Sequence, residues 1–179
     1  MTDDHAPPQP DLQLHGERVS LRRARPDDRD RLRDMLAEPS VAQWWDVAPA
    51  DRAADAWLDA DPDTTVLVIE VDGGIIGSIQ FAEEPDPGYR HAGIDLFLTT
   101  AAQGRGLGPD AIRTVARHLF EERGHPRLTI DPSAANERAI RAYERVGFRR
   151  VGVMRAYERG PDGRFHDGLL LDLLRGELR

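Results

Sequence analysis

Gln103-Gly104-Arg105-Gly106-Leu107-Gly108 lies between a β-rich stretch ending near Thr99 and a helix that opens at Pro109. Glycine permits the curvature that turns successive backbone N–H groups towards one point, and the helix adds the positive end of its dipole there. A strand, a glycine-rich turn and a helix N-terminus together form a cradle for an anion such as a pyrophosphate. The turn lacks the Gly-Lys-Ser/Thr of a Walker loop and does not have the G-x-G-x-x-G spacing of a dinucleotide fingerprint. Turns of this kind are as often structural as ligand-binding, so the surrounding elements decide the reading.

Upstream, residues 93–99 read as a strand, preceded by an acidic Pro- and Gly-rich loop over residues 83–90. Residues 64–71 and 75–81 are β-rich and separated by Asp72-Gly73-Gly74, which predicts a hairpin. Before it, Val19 and Leu21 alternate in a strand over residues 17–24. Pro26-Asp27-Asp28 starts a helix carrying Leu32, Met35 and Leu36, which stops near Pro39. Residues 41–45 and 50–58 read as short helical pieces. Downstream, Ile112, Val115, Leu119 and Phe120 mark one face of a helix over residues 109–123, stopped by Gly124. A strand follows at residues 127–130, then a helix capped by Asn136 and ended by Gly147, then strands at 148–157 and 165–173. This order predicts an α/β domain over residues 17–179, with a mixed sheet and helices on both faces, behind a loose N-terminal tail of residues 1–16.

Composition excludes several chemistries. The 179 residues contain no cysteine, which removes disulfides, thiolate metal sites and a Cys nucleophile. All 24 basic side chains are Arg, so no Lys base or Schiff base is available. The net charge of -8 repels nucleic acid and favours cationic ligands. No apolar run is long enough to span a bilayer, and the polar, Pro-rich start does not resemble a signal sequence, so the expected location is cytoplasmic. The six histidines show no metal spacing, so no metal is expected; His118 is assigned to the exposed side of its helix, and His166 beside Asp167 is the one pair placed to form an auxiliary site.

Gln103-x-x-Gly106-x-Gly108 resembles the acyl-CoA pyrophosphate signature of the GNAT N-acetyltransferases, Q/R-x-x-G-x-G/A. The run Asn136-Glu137-Arg138-Ala139-Ile140-Arg141-Ala142-Tyr143-Glu144-Arg145-Val146-Gly147-Phe148 resembles that family's second landmark, an Asn-capped helix with a Tyr and a closing Gly-Phe. Together they cover about residues 93 to 148. Within the family, Trp44-Trp45, Asp86-Pro87-Gly88, Ile94-Asp95 and Asp131-Pro132-Ser133 are similar to the aminoglycoside 6'-N-acetyltransferases and their siderophore-lysine acyltransferase relatives.

The resemblance implies a twisted, mostly antiparallel sheet splayed at one parallel pair of strands, and acetyl-CoA as donor. It implies that Gln103, Gly104, Arg105, Gly106, Leu107, Gly108 and Asn136 hold the cofactor. The backbone of Phe97, Leu98 and Thr99 would pair with the pantetheine arm. Tyr143 would protonate the departing sulfur; by spacing alone it reads as a core residue. Alternation puts Asp95 on the face opposite Ile94 and Leu96, where it can serve as base or amine anchor. Asp131 can bind an ammonium, and Trp44 and Trp45 can wall the acceptor or pack in the core. A lysine-like amine costs about 4.6 kcal/mol to deprotonate at pH 7, and one of pKa near 8 only about 1.4 kcal/mol. The expected acceptor is a primary amine of a cationic small molecule, an aminoglycoside 6'-amine above all, acted on by a monomer or homodimer. Acylation of a siderophore lysine or a protein amine, or acyl-CoA sensing without turnover, stay open.

Overall fold

The apolar pattern of one hairpin sets the layers. In β3 (Thr64–Val71), Val66 and Val68 face one way and Leu67 and Ile69 the other, and all four are buried because helices cover both faces of the sheet. The chain then reverses at Asp72 (φ 50°) and Gly73 (φ 77°), the left-handed pair that a two-residue hairpin requires, and β4 (Gly74–Glu83) begins at once, with Val71 opposite Gly74. On one face, α1 (Arg29–Leu36), α2 (Pro39–Ala42) and α3 (Ala50–Leu58) bury Leu32, Met35, Val41 and Trp57 against Val66, Val68 and Phe97. On the other, α4 (Leu107–Glu121) and α5 (Glu137–Val146) bury Ile112, Val115, Leu119 and Ile140 against Leu67, Ile69, Ile79 and Ile94. The computed structural model describes residues 12–45, 49–59, 61 and 63–179. Among them, no helix is long and apolar enough to cross a membrane.

The remaining strands are β1 (Gln13–His15), β2 (Ser20–Arg23), β5 (Ala92–Leu98), β6 (Arg127–Ile130), β7 (Arg149–Arg159) and β8 (Phe165–Leu174), and the sheet runs β1-β2-β3-β4-β5-β6-β8-β7. Every neighbouring pair is antiparallel except β5 and β6. That pair touches only at Ala92 opposite Leu128 and Gly93 opposite Thr129, whereas β5 stays paired with β4 as far as Gly77 opposite Leu98. Beyond Gly93 the sheet is therefore split along one edge of β5.

Two expectations need correction. The N-terminal tail lies outside the described residues up to residue 11, but Gln13–His15 is an edge strand paired with Ser20–Arg22, too short for its alternation to register in the sequence. His118 is not exposed: it is 8% accessible and its ring lies 6.1 Å from that of Phe81. Helix α4 is covered on a wider arc than its aliphatic stripe implies. Ala111, Thr114 and His118, spaced three and four apart, are all buried, whereas Arg117 and Glu121 face out.

Helix α5 ends as expected at Gly147, whose φ of 121° suits only glycine and whose Cα sits so close to the C-terminal segment that a Cβ would lie 2.1 Å from the Glu177 carbonyl oxygen. Gly124 also has positive φ (72°) but open space around it. Replacement of Gly147 by Ala should lower unfolding free energy by about 2 kcal/mol or more, and Gly124→Ala by about 1 kcal/mol. Equal losses in urea unfolding would show that backbone strain alone matters at Gly147.

Candidate active site

The chain leaves β5, makes one tight turn at Thr100–Ala102, and passes Gly104 (φ 74°) and Gly106 (φ 79°) before α4 begins at Leu107. The first bond along the helix is from Asp110 N to Gly106 O, so the N–H groups of Leu107 and Gly108 precede the helical ladder and are available to an anion. The loop is braced from behind. The Asp110 carboxylate accepts from the backbone N–H groups of Glu17 (3.2 Å), Arg18 (2.8 Å) and Val19 (3.1 Å), and the Arg18 guanidinium donates to the Arg105 carbonyl at 2.6 Å.

In front of the loop lies a cleft of about 190 Å³ that reaches Leu96, Phe97 and Leu98 of β5 and Arg138, Tyr143 and Arg145 of α5. Gly104, Gly106, Leu107 and Gly108 line it; Arg105 does not, its carbonyl being held by Arg18. Gln103 also lines the cleft, but its side chain is a strut: Nε2 donates to the Leu98 carbonyl at 2.8 Å and to Ser40 Oγ at 3.2 Å, and Oε1 accepts from the Arg138 guanidinium. Asn136 caps α5 by accepting from Ala139 N at 3.2 Å, and lines the same cleft.

The backbone of β5 divides its residues differently from the expectation. Thr99 N donates to the Ile76 carbonyl at 2.9 Å, so alternation turns the peptide groups of Phe97 and Thr99 towards β4. Those of Leu96 and Leu98 face the split, where an extended arm can add as a strand. Thr99 does not line the cleft, and its hydroxyl donates to Glu38. Arg138 and Arg145, which escaped the sequence reading because α5 carries several arginines, supply positive charge opposite the helix N-terminus.

A second cleft, of about 470 Å³, adjoins the first and shares Trp44, Trp45, Leu96, Asn136 and Tyr143 with it. Three carboxylates line it: Asp95 from β5, Asp131 just past β6, and Glu158 from β7. Asp95 sits opposite Gln80 in the ladder and accepts from Gln80 Nε2 at 3.1 Å. Burial holds its pKa above the usual carboxylate range, the charge of Asp131 adds to this, and the Gln80 bond opposes it. Glu158 is raised for the same reasons, burial first and then Asp131. Burial and the charges of Asp95 and Asp131 push the Tyr143 phenol well above its ordinary value.

Tyr157 and Glu158 were not anticipated. Tyr157 donates its phenolic proton to Asp131 Oδ2, which together with burial pushes its pKa up to about 12. Trp45 has both roles weighed for it: its ring meets Trp57 at 5.0 Å and Phe97 at 5.8 Å edge-on, and it also lines both clefts. Trp57 anchors this aromatic group to the sheet, Nε1 donating to Ser78 Oγ at 2.8 Å, which donates to the Leu67 carbonyl at 2.7 Å. His166 pairs with Asp162 at 2.8 Å, away from Asp95 and Tyr143.

The model of the acetyltransferase (GNAT) domain matches residues 18–149. An aminoglycoside N(6')-acetyltransferase type 1 of Klebsiella pneumoniae is 32% identical, the match covering 81% of this chain and 79% of that protein. A structure of AAC(6')-Ib in complex with paromomycin and acetyl-CoA superposes with a TM-score of 0.74 at 28% identity, covering 90% of this chain and 96% of that one. Mycobacterium smegmatis RimJ, solved with CoA-disulfide, shares the fold at a TM-score of 0.82 and 20% identity, over 94% of this chain and 90% of that one. A glycine loop at a helix N-terminus, a sheet split beside it and a partly buried tyrosine that lines both clefts are thus features of a chain that belongs to the GNAT family and is an N-acetyltransferase.

Proposed function

We propose that the protein transfers an acetyl group from acetyl-CoA to a primary amine of a cationic small molecule, an aminoglycoside 6'-amine being the best match, inside the cell. The observation that carries this is the convergence of Asp95, Asp131 and Glu158 in a cleft that meets the cofactor cleft at Tyr143. Like charges held together in a partly buried cleft are costly unless a cation joins them, so the acceptor is expected to carry more than one amine. The similarity to aminoglycoside acetyltransferases supports the same reading.

The residues fit the donor. The N–H groups of Leu107 and Gly108, with Arg138 and Arg145, would hold the pyrophosphate, and the Leu96 peptide groups with the Leu98 N–H the pantetheine arm. Bound acetyl-CoA supplies an activated acetyl thioester and a sulfur leaving group. The carboxylates of Asp95 and Asp131 draw the acceptor ammonium to the junction of the clefts, and Asp95 takes up a proton from it directly or through water. Tyr143 keeps its proton at neutral pH, because its surroundings disfavour the phenolate, and would deliver it to the departing sulfur.

A CoA-release screen over kanamycin, tobramycin, hydroxylysine and peptides tests the acceptor class. Turnover confined to peptides or hydroxylysine, or absent with every aminoglycoside, defeats the reading. Tyr143→Phe should reduce kcat by about 10²-fold or more with CoA affinity nearly unchanged. Unaltered turnover removes Tyr143 from the chemistry. Asp95 must be ionised to act, and its raised pKa means that it gains a proton at a higher pH than a free Asp. The acid limb of kcat/KM should therefore lie above the ordinary carboxylate range, and Asp95→Asn should remove one proton's worth of its slope.

A further inference from the structure

The segment Phe165-His166-Asp167-Gly168-Leu169 has no part in the chemistry described above, yet it is bonded to the chain just past Asp131, a residue that lines the acceptor cleft. Strands β7 and β8 pair residue for residue from Gly152 opposite Leu170 to Met154 opposite Gly168 and resume at Glu158 opposite His166, so three residues of β7 face the single Asp167. Within this bulge Ala156 has φ 50°, a left-handed conformation that a non-glycine residue holds only when its surroundings enforce it. The enforcing group is Asp167, whose Oδ1 accepts from Ala156 N at 2.8 Å.

The bulge carries Tyr157 across Gly168, whose missing side chain is what lets the ring lie there: a Cβ on Gly168 would stand 2.6 Å from Tyr157 Cδ1. The phenol then reaches Asp131. The same stretch of β8 holds the chain beyond Asp131, through Ala134 N to the Asp167 carbonyl at 2.8 Å and Leu169 N to the Pro132 carbonyl at 2.9 Å. Both ends of the Tyr157–Asp131 bond thus rest on residues 167–169. Among the described residues Tyr157 is the one hydrogen-bond partner of the Asp131 side chain, and it occupies Oδ2.

We infer that Tyr157 is a positioning residue of the acceptor site: its phenol orients the Asp131 carboxylate so that Oδ1 receives the acceptor ammonium, and Asp167 and Gly168 hold the phenol in place. The bond has a second effect. A donor on Asp131 offsets part of the repulsion among Asp95, Asp131 and Glu158. The part of this inference that concerns the acceptor rests on the reading of the cleft as an amine site.

Tyr157→Phe keeps the ring and removes the bond. It should raise the KM of a cationic acceptor about tenfold to a hundredfold, the range for a hydrogen bond to a charged group, with kcat reduced by less and the KM of acetyl-CoA unmoved. In an Asp131→Asn background the same substitution should have little further effect, since its partner carboxylate is gone. Asp167→Ala should reproduce part of the KM defect. An unchanged acceptor KM, or full additivity with Asp131→Asn, overturns the proposal. The chain has only three tyrosines, so Tyr157 is assigned in a tyrosine ¹³Cζ NMR spectrum by its loss in Tyr157→Phe. Its signal should move in both Asp131→Asn and Asp167→Ala, and a signal that stays still in either overturns the proposal without reference to any acceptor. If the wild-type protein acetylates no amine while that signal moves, the acceptor reading fails and the Tyr157–Asp131–Asp167 linkage stands.

Discussion

Strands β5 and β6 share only two residue pairs before they part, and the arrangement of the site depends on that separation. Strand β5 is held straight by its full ladder with β4, while β6 has four residues and ends at Asp131-Pro132. Proline has no N–H to extend a ladder and biases the residue before it, and the Pro132 carbonyl is drawn to Leu169 of β8. The chain beyond β6 therefore leans towards β8 and leaves the far half of β5 with one edge open. The peptide groups of Leu96 and the N–H of Leu98, which would pair with a neighbour, are left open beside the N-terminus of α4, while Gln103 holds the Leu98 carbonyl. Asp95 from one strand and Asp131 from beyond the other then line the same cleft.

The two clefts are of opposite electrical character. Arg138, Arg145 and the positive end of α4 surround one, and Asp95, Asp131 and Glu158 surround the other. Tyr143 lines both, and burial, with the charges of Asp95 and Asp131, raises its pKa. The cost of holding three carboxylates together is moderated by neutral donors: Gln80 on Asp95, Ser133 on Glu158 and Tyr157 on Asp131.

Much of this was legible locally. The Asp72-Gly73 turn, the Asn136 cap and the Gly147 stop each depend on backbone conformations that few residues adopt, so residue identity and place suffice to find them. The face presented by Asp95 follows from alternation along β5. Other features depend on which surfaces meet. His118 is buried because β-sheet and helix close over a flank of α4 that carries no aliphatic stripe. Gln103 braces β5 and Arg138, although its place in the loop had suggested a direct hold on the cofactor. Phe97 and Thr99 turn their peptides to β4 because register, which no single strand reveals, assigns each peptide a side.

The sequence by itself determined the glycine loop, the helix it opens and the order along the chain of the helices and of every strand but the first, because those depend on short-range conformational preference and on spacing along the chain. Only the tertiary structure decided which side chains meet around the acidic cleft. Asp131 and Tyr157 are 26 residues apart, and their bond exists because a three-against-one bulge, held by Asp167, folds one strand back over a glycine in the next. No local preference encodes that contact; it arises from the pairing of β7 with β8.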